Sequence, residues 1–216
     1  MDPLRTRVKA AAVANLTDAR YFAALGVDYL GFALEPGSEG HIGALEVAAF
    51  REWIEGPRIV GEFGGMPTPD IARLAAELDL HLVEVGPFGK THDAAAAAGL
   101  PVLQRIPVGP ELPPAVAQPI LDANAAHVEA FVLDFSRGGL PWAALREERV
   151  WTEWLAATCA DYPVLLDLPA PASAIEGLLG RFAPLGFQVR GGEEEAVGVK
   201  SFDDLDAWFD VLRVEE

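Results

Sequence analysis

The sequence predicts an α/β protein, a single (β/α)8 TIM barrel, and three observations support this prediction. Short apolar runs rich in Val, Ile and Leu alternate with amphipathic segments along all 216 residues. Such near-continuous apolar strands indicate burial on both faces, which a parallel sheet covered by helices provides. Because no Gly-rich phosphate motif follows the first strand, a closed barrel is favoured over an open doubly wound sheet. No long linker interrupts the pattern, so residues 1–216 are expected to form one domain.

The predicted strands are short apolar stretches bounded by polar or turn-forming residues. In chain order they are Val8–Val13, Tyr29–Leu34, Arg58–Phe63, His81–Val85, Pro101–Ile106, Ala130–Phe135, Val164–Leu168 and Phe187–Arg190. A strand count of this size in a chain of this length is typical of a compact barrel.

The predicted helices lie between and after the strands, near residues 17–25, 43–54, 68–78, 91–99, 112–127, 149–160, 172–183 and 202–213. Thr17 and Asp18 supply polar caps for the first helix, and Gly26 ends it. Thr68 and Pro69 open the third helix, since proline is favoured in a first turn. The alanine run at 94–98 suits a helix interior.

Composition bounds the class of protein. Hydrophobic residues make up 51% and charged residues 23%, which is typical of a soluble globular domain, and no apolar run is long enough to span a membrane. The one cysteine, Cys159, excludes an intramolecular disulfide and a thiolate zinc cluster. A net charge of −17 disfavours nucleic acid and anionic lipid as partners and favours solubility. We therefore expect an acidic, cytoplasmic protein.

One run carries a family resemblance. Residues 9–32, KAAAVANLTDARYFAALGVDYLGF, match the pattern Lys-x-Cys-Gly-Ile-Thr-Asn-Leu-x-Asp-Ala…Gly-x-Asp-x-Leu-Gly-Phe at Lys9, Asn15, Leu16, Asp18, Ala19, Gly26, Asp28, Leu30, Gly31 and Phe32. This run resembles the opening of phosphoribosylanthranilate isomerase, the barrel enzyme of tryptophan biosynthesis. VGEF at 60–63, FVLDF at 131–135 and GVKSFDDLDAWF at 198–209 are also similar to segments of that family.

The resemblance implies an Amadori rearrangement of a phosphoribosylamine, in which a general acid opens the sugar ring and a general base removes a proton from C2′. It implies that Asp134 is the acid. The pattern's catalytic cysteine is replaced by Ala11 and the following glycine by Ala12. Since a methyl group cannot take a proton, Ala11 marks the position of a missing base. A structural alternative for Asp134 is a cap on the loop SRGG at 136–139.

A relocated base would have to come from another titratable side chain. His41 and His92 follow the second and fourth strands, on the face where barrels place catalytic groups. His81 and His127 precede strands, on the opposite face. Cys159 lies at helical spacing from Leu155 and is expected to be a small buried residue.

The substrate-binding positions that the resemblance implies are altered. Ser38 is retained in the second loop, but Gly40 stands where the family has arginine, and the fourth-strand position is Glu84. The loop DLPAP at 167–171, which begins with Asp167, replaces a phosphate-binding loop with prolines that donate no N–H. After the eighth strand, Arg190, Gly191 and Gly192 retain the elements of an anion nest, opposed by three glutamates at 193–195.

Carboxylates also collect at the strand ends, namely Glu62, Glu84, Asp134 and Asp167. Three interpretations stay open: weak oxygen ligands for a divalent metal, ion pairs with Arg105, Arg190 or Lys90, and an acid/base pair with separated pKa values. No resident cofactor is expected.

The sequence thus predicts a divergent isomerase-like barrel without efficient isomerase activity, a possible pseudoenzyme. Two alternatives remain, an active isomerase with a relocated base and a metal-dependent enzyme that uses the carboxylates. The expected partner is a small molecule at the C-terminal face of the barrel, with a phosphosugar as one candidate. Family resemblance is compatible with a monomer or a homodimer.

Overall fold

Eight parallel strands close into a barrel in which each strand pairs with the next and β8 pairs with β1. The computed structural model describes residues 3–191, 194–196, 199–200 and 202–214. The barrel strands are β1 (Arg7–Ala11), β2 (Tyr29–Ala33), β3 (Arg58–Phe63), β4 (Leu82–Val85), β5 (Val102–Pro107), β6 (Ala130–Asp134), β7 (Val164–Asp167) and β8 (Gly186–Arg190). The predicted (β/α)8 barrel is confirmed, and every predicted strand end falls within two residues of the observed one.

The helices follow the predicted segments closely. They are α1 (Leu16–Leu25), α2 (Ala44–Arg51), α3 (Thr68–Glu77), α4 (Thr91–Ala98), α5 (Pro114–Asn124), α8 (Arg149–Asp161), α9 (Ala172–Phe182) and α10 (Asp203–Leu212). Elements missed by the sequence analysis are the helices α6 (Phe135–Gly138) and α7 (Trp142–Leu145), a 3-10 turn (Ala125–His127), and a hairpin of β9 (Glu194–Ala196) and β10 (Val199–Lys200). These elements are too short to show a hydrophobic period.

Two local predictions need correction where β1 meets α1. β1 ends at Ala11 rather than Val13, because Ala12 adopts a left-handed backbone with φ +50°. The cap of α1 is Asn15, not Thr17 or Asp18, since the Asn15 side chain accepts a hydrogen bond from the Asp18 N–H at 2.9 Å. The predicted end of α1 is confirmed, with Gly26 at φ 76°.

The barrel interior is layered. At the N-terminal end, Arg7 donates to the Tyr29 hydroxyl (2.7 Å), Tyr29 donates to Glu129 (3.0 Å), and Arg58 pairs with Glu129 (2.7 Å). A middle apolar layer consists of Val60, Leu82, Leu103, Val132 and Leu165. Alternation along each strand then places charged residues in the layer at the C-terminal end. The charged layer at the C-terminal end therefore packs on an apolar middle layer, and hydrogen-bonded polar side chains close the N-terminal end of the barrel.

A larger apolar cluster packs between the sheet and the surrounding helices. Cys159 lies in this cluster, as predicted, and burial raises the pKa of its thiol to about 12. The thiol is therefore protonated and unreactive at neutral pH. Within the described ranges, every helix falls short of the length and apolar character that a bilayer-spanning segment needs.

We predict that Ala12→Gly stabilises the protein by about 0.5–1 kcal/mol. The left-handed conformation costs a residue with a side chain roughly 1–2 kcal/mol, and glycine removes this cost. The greater conformational freedom of glycine in the unfolded chain offsets only part of the resulting stabilisation. Denaturant unfolding checks this prediction. Ala10→Gly, two residues earlier inside β1, is the matched control and should lose about 1 kcal/mol. Equal losses in both variants would contradict the strain at Ala12.

Candidate functional site

Asp134 lies at the C-terminal end of β6, inside the barrel, and is fully buried. Its Oδ1 atom also accepts a hydrogen bond from the Arg137 N–H at 2.8 Å and caps α6. The catalytic and capping interpretations of Asp134 are therefore compatible, because one carboxylate oxygen caps the loop while the other faces the interior.

Ala11 ends β1 opposite Arg190 of β8 and is 2% exposed. It shares the inward parity of Lys9, whose side chain contacts residues of β3, β4 and β8 inside the barrel. Next to it, the Ala12 N–H lies 3.3 Å from each oxygen of Glu62. The loop after β2 packs closely here, since a Cβ atom on Gly40 would lie 3.0 Å from the Ala12 carbonyl oxygen.

A buried ion-pair cluster occupies one side of the interior. The Lys9 ammonium lies 2.5 Å from Glu62, 2.9 Å from Glu84 and 2.8 Å from the Gln188 side-chain oxygen. Gly31 leaves space for this cluster, because a Cβ atom at that position would overlap the Glu62 carboxylate. Such a cluster is stable only when every charge is paired.

A second group of contacts extends the network across the barrel. Asp167 accepts hydrogen bonds from Arg190 (2.7 Å), Ser136 (2.8 Å) and Gln188 (2.8 Å). Arg190 also donates to Asp134 at 3.3 Å. Since Gln188 contacts both Lys9 and Asp167, the polar residues form one continuous network from β3 to β6.

The four predicted carboxylates all point inward, and the ion-pair interpretation is the one that their contacts support. Lys9 and Arg105 face Glu84, while Arg190 and Arg137 lie within 4 Å of Asp134. Lys90 is not part of this network and instead pairs with Asp93 on the surface. In the described part of the chain, no group of three or more His, Cys, Asp or Glu side chains is arranged to hold a metal ion.

Proton affinities differ sharply within the network. Burial and the neighbouring Asp167 carboxylate raise the pKa of Asp134, against the opposing Arg137 N–H and Arg190. For Glu62, burial favours a higher pKa, but Lys9 and Arg105 outweigh it and lower the pKa. For Lys9, burial opposes the charge, yet Glu62 and Glu84 raise the pKa overall. Asp134 is thus suited to donate a proton, and Glu62 is a weak base.

Two of the cavities at this face border the charged network. The first, which we call the mouth cavity, has a volume of about 350 Å³ and is lined by Ala33, Glu35, Ser38, Glu39, Glu62, Gly64, Arg105 and Arg137. The Ser38 hydroxyl donates a hydrogen bond to the Glu35 backbone carbonyl, so it stabilises the loop after β2. The second cavity has a volume of about 470 Å³ and lies beside the ends of β7 and β8.

The sequence analysis did not identify Arg137 as a site residue, although its position three residues after Asp134 was the available signal.

No protein-family model matches the chain. Over 95% of its length it is similar to a solved phosphoribosyl anthranilate isomerase from Thermus thermophilus, with 30% identity, 98% coverage of that chain and a TM-score of 0.73. The chain belongs to the phosphoribosylanthranilate isomerase family. The N-(5′-phosphoribosyl)anthranilate isomerase of Deinococcus radiodurans is 28% identical over 216 residues, with 97% of each chain covered. The Thermotoga maritima isomerase, 18% identical over 96% of this chain and 98% of that chain with a TM-score of 0.76, shares the fold.

Neither histidine considered as a replacement base in an isomerase lines the mouth cavity. His41 is exposed in the loop after β2, where its backbone N–H bonds to the Ser38 carbonyl. His92 is exposed on α4, and its ring lies 4.9 Å from the ring of His127, which precedes β6. The structure therefore does not bring His92 to Asp134 and Ala11.

The positions expected to hold a phosphosugar in this family have other roles here. Glu84 is buried against Lys9, and Asp167 is bound to Arg190. Gly191 follows β8 outside any regular element, and Gly192 lies outside the described residues. Arg190 therefore already carries two internal carboxylates.

We predict that Lys9→Met destabilises the protein by about 3–5 kcal/mol, because it leaves Glu62 and Glu84 buried without their cation. Denaturant unfolding at pH 7 measures the loss, and adding Glu62→Gln and Glu84→Gln should recover part of it. Arg73→Met, which removes an exposed helix pair, is the control and should cost less than about 1 kcal/mol. A Lys9→Met loss as small as that of the control would contradict a paired buried cluster.

We predict that Asp134→Asn stabilises the protein by about 1 kcal/mol at pH 7. The raised pKa means that the folded state holds the Asp134 proton more tightly than the unfolded chain, so ionisation of this group weakens the fold. This cost is absent below the ordinary value of 3.8 and grows as the pH rises through the raised pKa. The gain should therefore disappear in acid. A gain that persisted unchanged at low pH would contradict this origin.

Proposed function

We propose that this chain is a family member without efficient isomerase activity, whose barrel mouth binds a different small molecule. The observation that carries the proposal is Ala11, a buried inward-facing methyl group at the position where the family pattern has its catalytic cysteine. Isomerisation needs both a proton donor and a proton acceptor, and loss of one such group typically costs a factor of about 10²–10⁴ in rate.

The acid half of the mechanism is retained. Asp134 is buried at a strand end and has a raised pKa, which suits proton donation to a sugar ring oxygen. The base half lacks a substitute. Glu62 lies beside Ala12, but its carboxylate is bound by the Lys9 ammonium at 2.5 Å and its pKa is lowered. Glu62 is therefore a poor proton acceptor, because protonation would weaken its ion pair with Lys9.

The expected phosphate contacts also argue for another ligand. Pro169 and Pro171 follow β7 and donate no N–H, while Arg190 is bound to Asp134 and Asp167. A phosphate at this position would have to share Arg190 with two internal carboxylates, which bind its Nη2 atom. The metal-dependent alternative is disfavoured because the carboxylates are paired with cations.

Turnover of phosphoribosylanthranilate, followed by the loss of its fluorescence, tests the proposal. We expect no efficient turnover by the wild-type protein. Ala11→Cys combined with Ala12→Gly should raise kcat by about 10² or more, since it supplies the missing base to a retained acid. Adding Asp134→Asn to that pair is the matched control and should remove the gain.

Efficient wild-type turnover that Asp134→Asn abolishes would overturn the proposal and indicate a relocated base. Glu62→Gln would then identify that base if it abolished turnover, and His41→Gln is the corresponding test of the exposed loop histidine.

A further inference from the structure

Two histidine side chains meet on the outside of the barrel. The ring of His92, in the first turn of α4, lies 4.9 Å from the ring of His127, in the 3-10 turn before β6, with an angle of 59° between the ring planes. Neither residue lines the mouth cavity or the cavity beside β7 and β8. The pair is therefore separate from the charged network and from the cavities that border it.

The segments that carry these two rings are held together by buried contacts. The Thr91 hydroxyl, next to His92 in the chain, donates to the Asn124 side-chain oxygen at 2.6 Å, and Thr91 is buried. The Asn124 amide in turn donates to the Ile120 carbonyl at 2.8 Å, which fixes it at the end of α5. The packing of α4 against the end of α5 thus brings the two imidazoles together.

Both imidazoles are accessible to a ligand. His92 and His127 are exposed, and neither side chain has a hydrogen bond or an ion pair with another residue that the structure describes. His81 is different, because its Nδ1 atom accepts a hydrogen bond from the Ile59 N–H at 2.7 Å. Since the ring torsion of an exposed histidine has a broad range, the nitrogens of His92 and His127 can turn toward one point between the rings.

The spacing of the rings suits two ligands of one metal ion. Zinc binds an imidazole nitrogen at about 2.0–2.1 Å, and two imidazoles at a tetrahedral angle then have ring centres roughly 5 Å apart. The observed 4.9 Å agrees with this spacing. Imidazole is a preferred ligand of zinc, nickel and copper, whereas magnesium and calcium prefer oxygen ligands. The pair is therefore selective for transition metals by its chemistry.

We propose that His92 and His127 bind one divalent transition-metal ion of the zinc class, with water completing the coordination. The net charge of −17 favours the approach of a cation, and Lys90, two residues before His92, is paired with Asp93 at 3.6 Å. The ion links α4 to the turn before β6, so this site stabilises the fold and takes no part in catalysis. The inference does not depend on the proposed function.

Calorimetric titration of the protein with zinc chloride tests the inference. His92→Gln and His127→Gln should each weaken zinc binding at least about tenfold, because loss of even an outer partner of a metal ligand typically costs that much. Both side chains are exposed, so both variants should fold. His41→Gln, which removes an exposed histidine elsewhere on the surface, is the matched control and should leave zinc binding unchanged.

Unfolding in denaturant supplies a second readout. A ligand that binds the folded state more tightly than the unfolded chain stabilises the fold. Saturating zinc should therefore raise the denaturant midpoint of the wild type and of His41→Gln, but not of His92→Gln. Magnesium chloride at the same concentration should neither raise the midpoint nor compete with zinc.

Four results would overturn the inference. They are zinc binding that survives either substitution in the pair, equal binding of zinc and magnesium, loss of zinc binding in His41→Gln, and no zinc binding at millimolar concentration. Equal binding of the two metals would assign the ions to surface carboxylates, and survival in one variant of the pair would indicate a site with a single histidine.

Discussion

The charged layer of this barrel depends on the burial of one ammonium group, that of Lys9. A cation without solvent must be surrounded by acceptors, and Lys9 obtains them from β3, β4 and β8. Through Gln188 the same constraint orients Asp167, and through Asp167 it holds Arg190 against Asp134. The orientation of the candidate acid thus follows from a pairing requirement on the opposite side of the barrel.

This arrangement has a cost for ligand binding. Side chains that bind one another offer fewer donors or acceptors to an incoming molecule, and a ligand must compete with contacts formed at short range in a dry interior. Other polar groups line the cavities at the strand ends, among them Arg105 and Arg137 in the mouth cavity and Asp204 of α10 in the cavity beside β7 and β8. Recognition is therefore expected at the rim of the barrel more than at its centre.

The sequence was sufficient for the fold because buried parallel strands are apolar throughout and each is bounded by turn residues. It was also sufficient to place Ala11 and Asp134 at the ends of their strands, since the matched pattern is local. The charged network was only partly predictable. Lys9 and Glu62 are separated by 53 residues, and the inward direction of a strand-end carboxylate depends on a register that only the closed barrel fixes. The sequence placed His92 on the catalytic face, but it could not show that His92 lies exposed on α4 beside His127, because that location depends on how α4 packs against the turn before β6.

The buried Cys159 is not expected to react with thiol-directed reagents, since its single sulfhydryl group is protonated and enclosed by apolar side chains. A cysteine introduced at an exposed position would consequently be the one readily reactive thiol in the molecule. Selective alkylation or attachment of a spectroscopic label is then possible without removing the native residue. The rim of the barrel can in this way be mapped one site at a time, in a protein whose own thiol does not interfere.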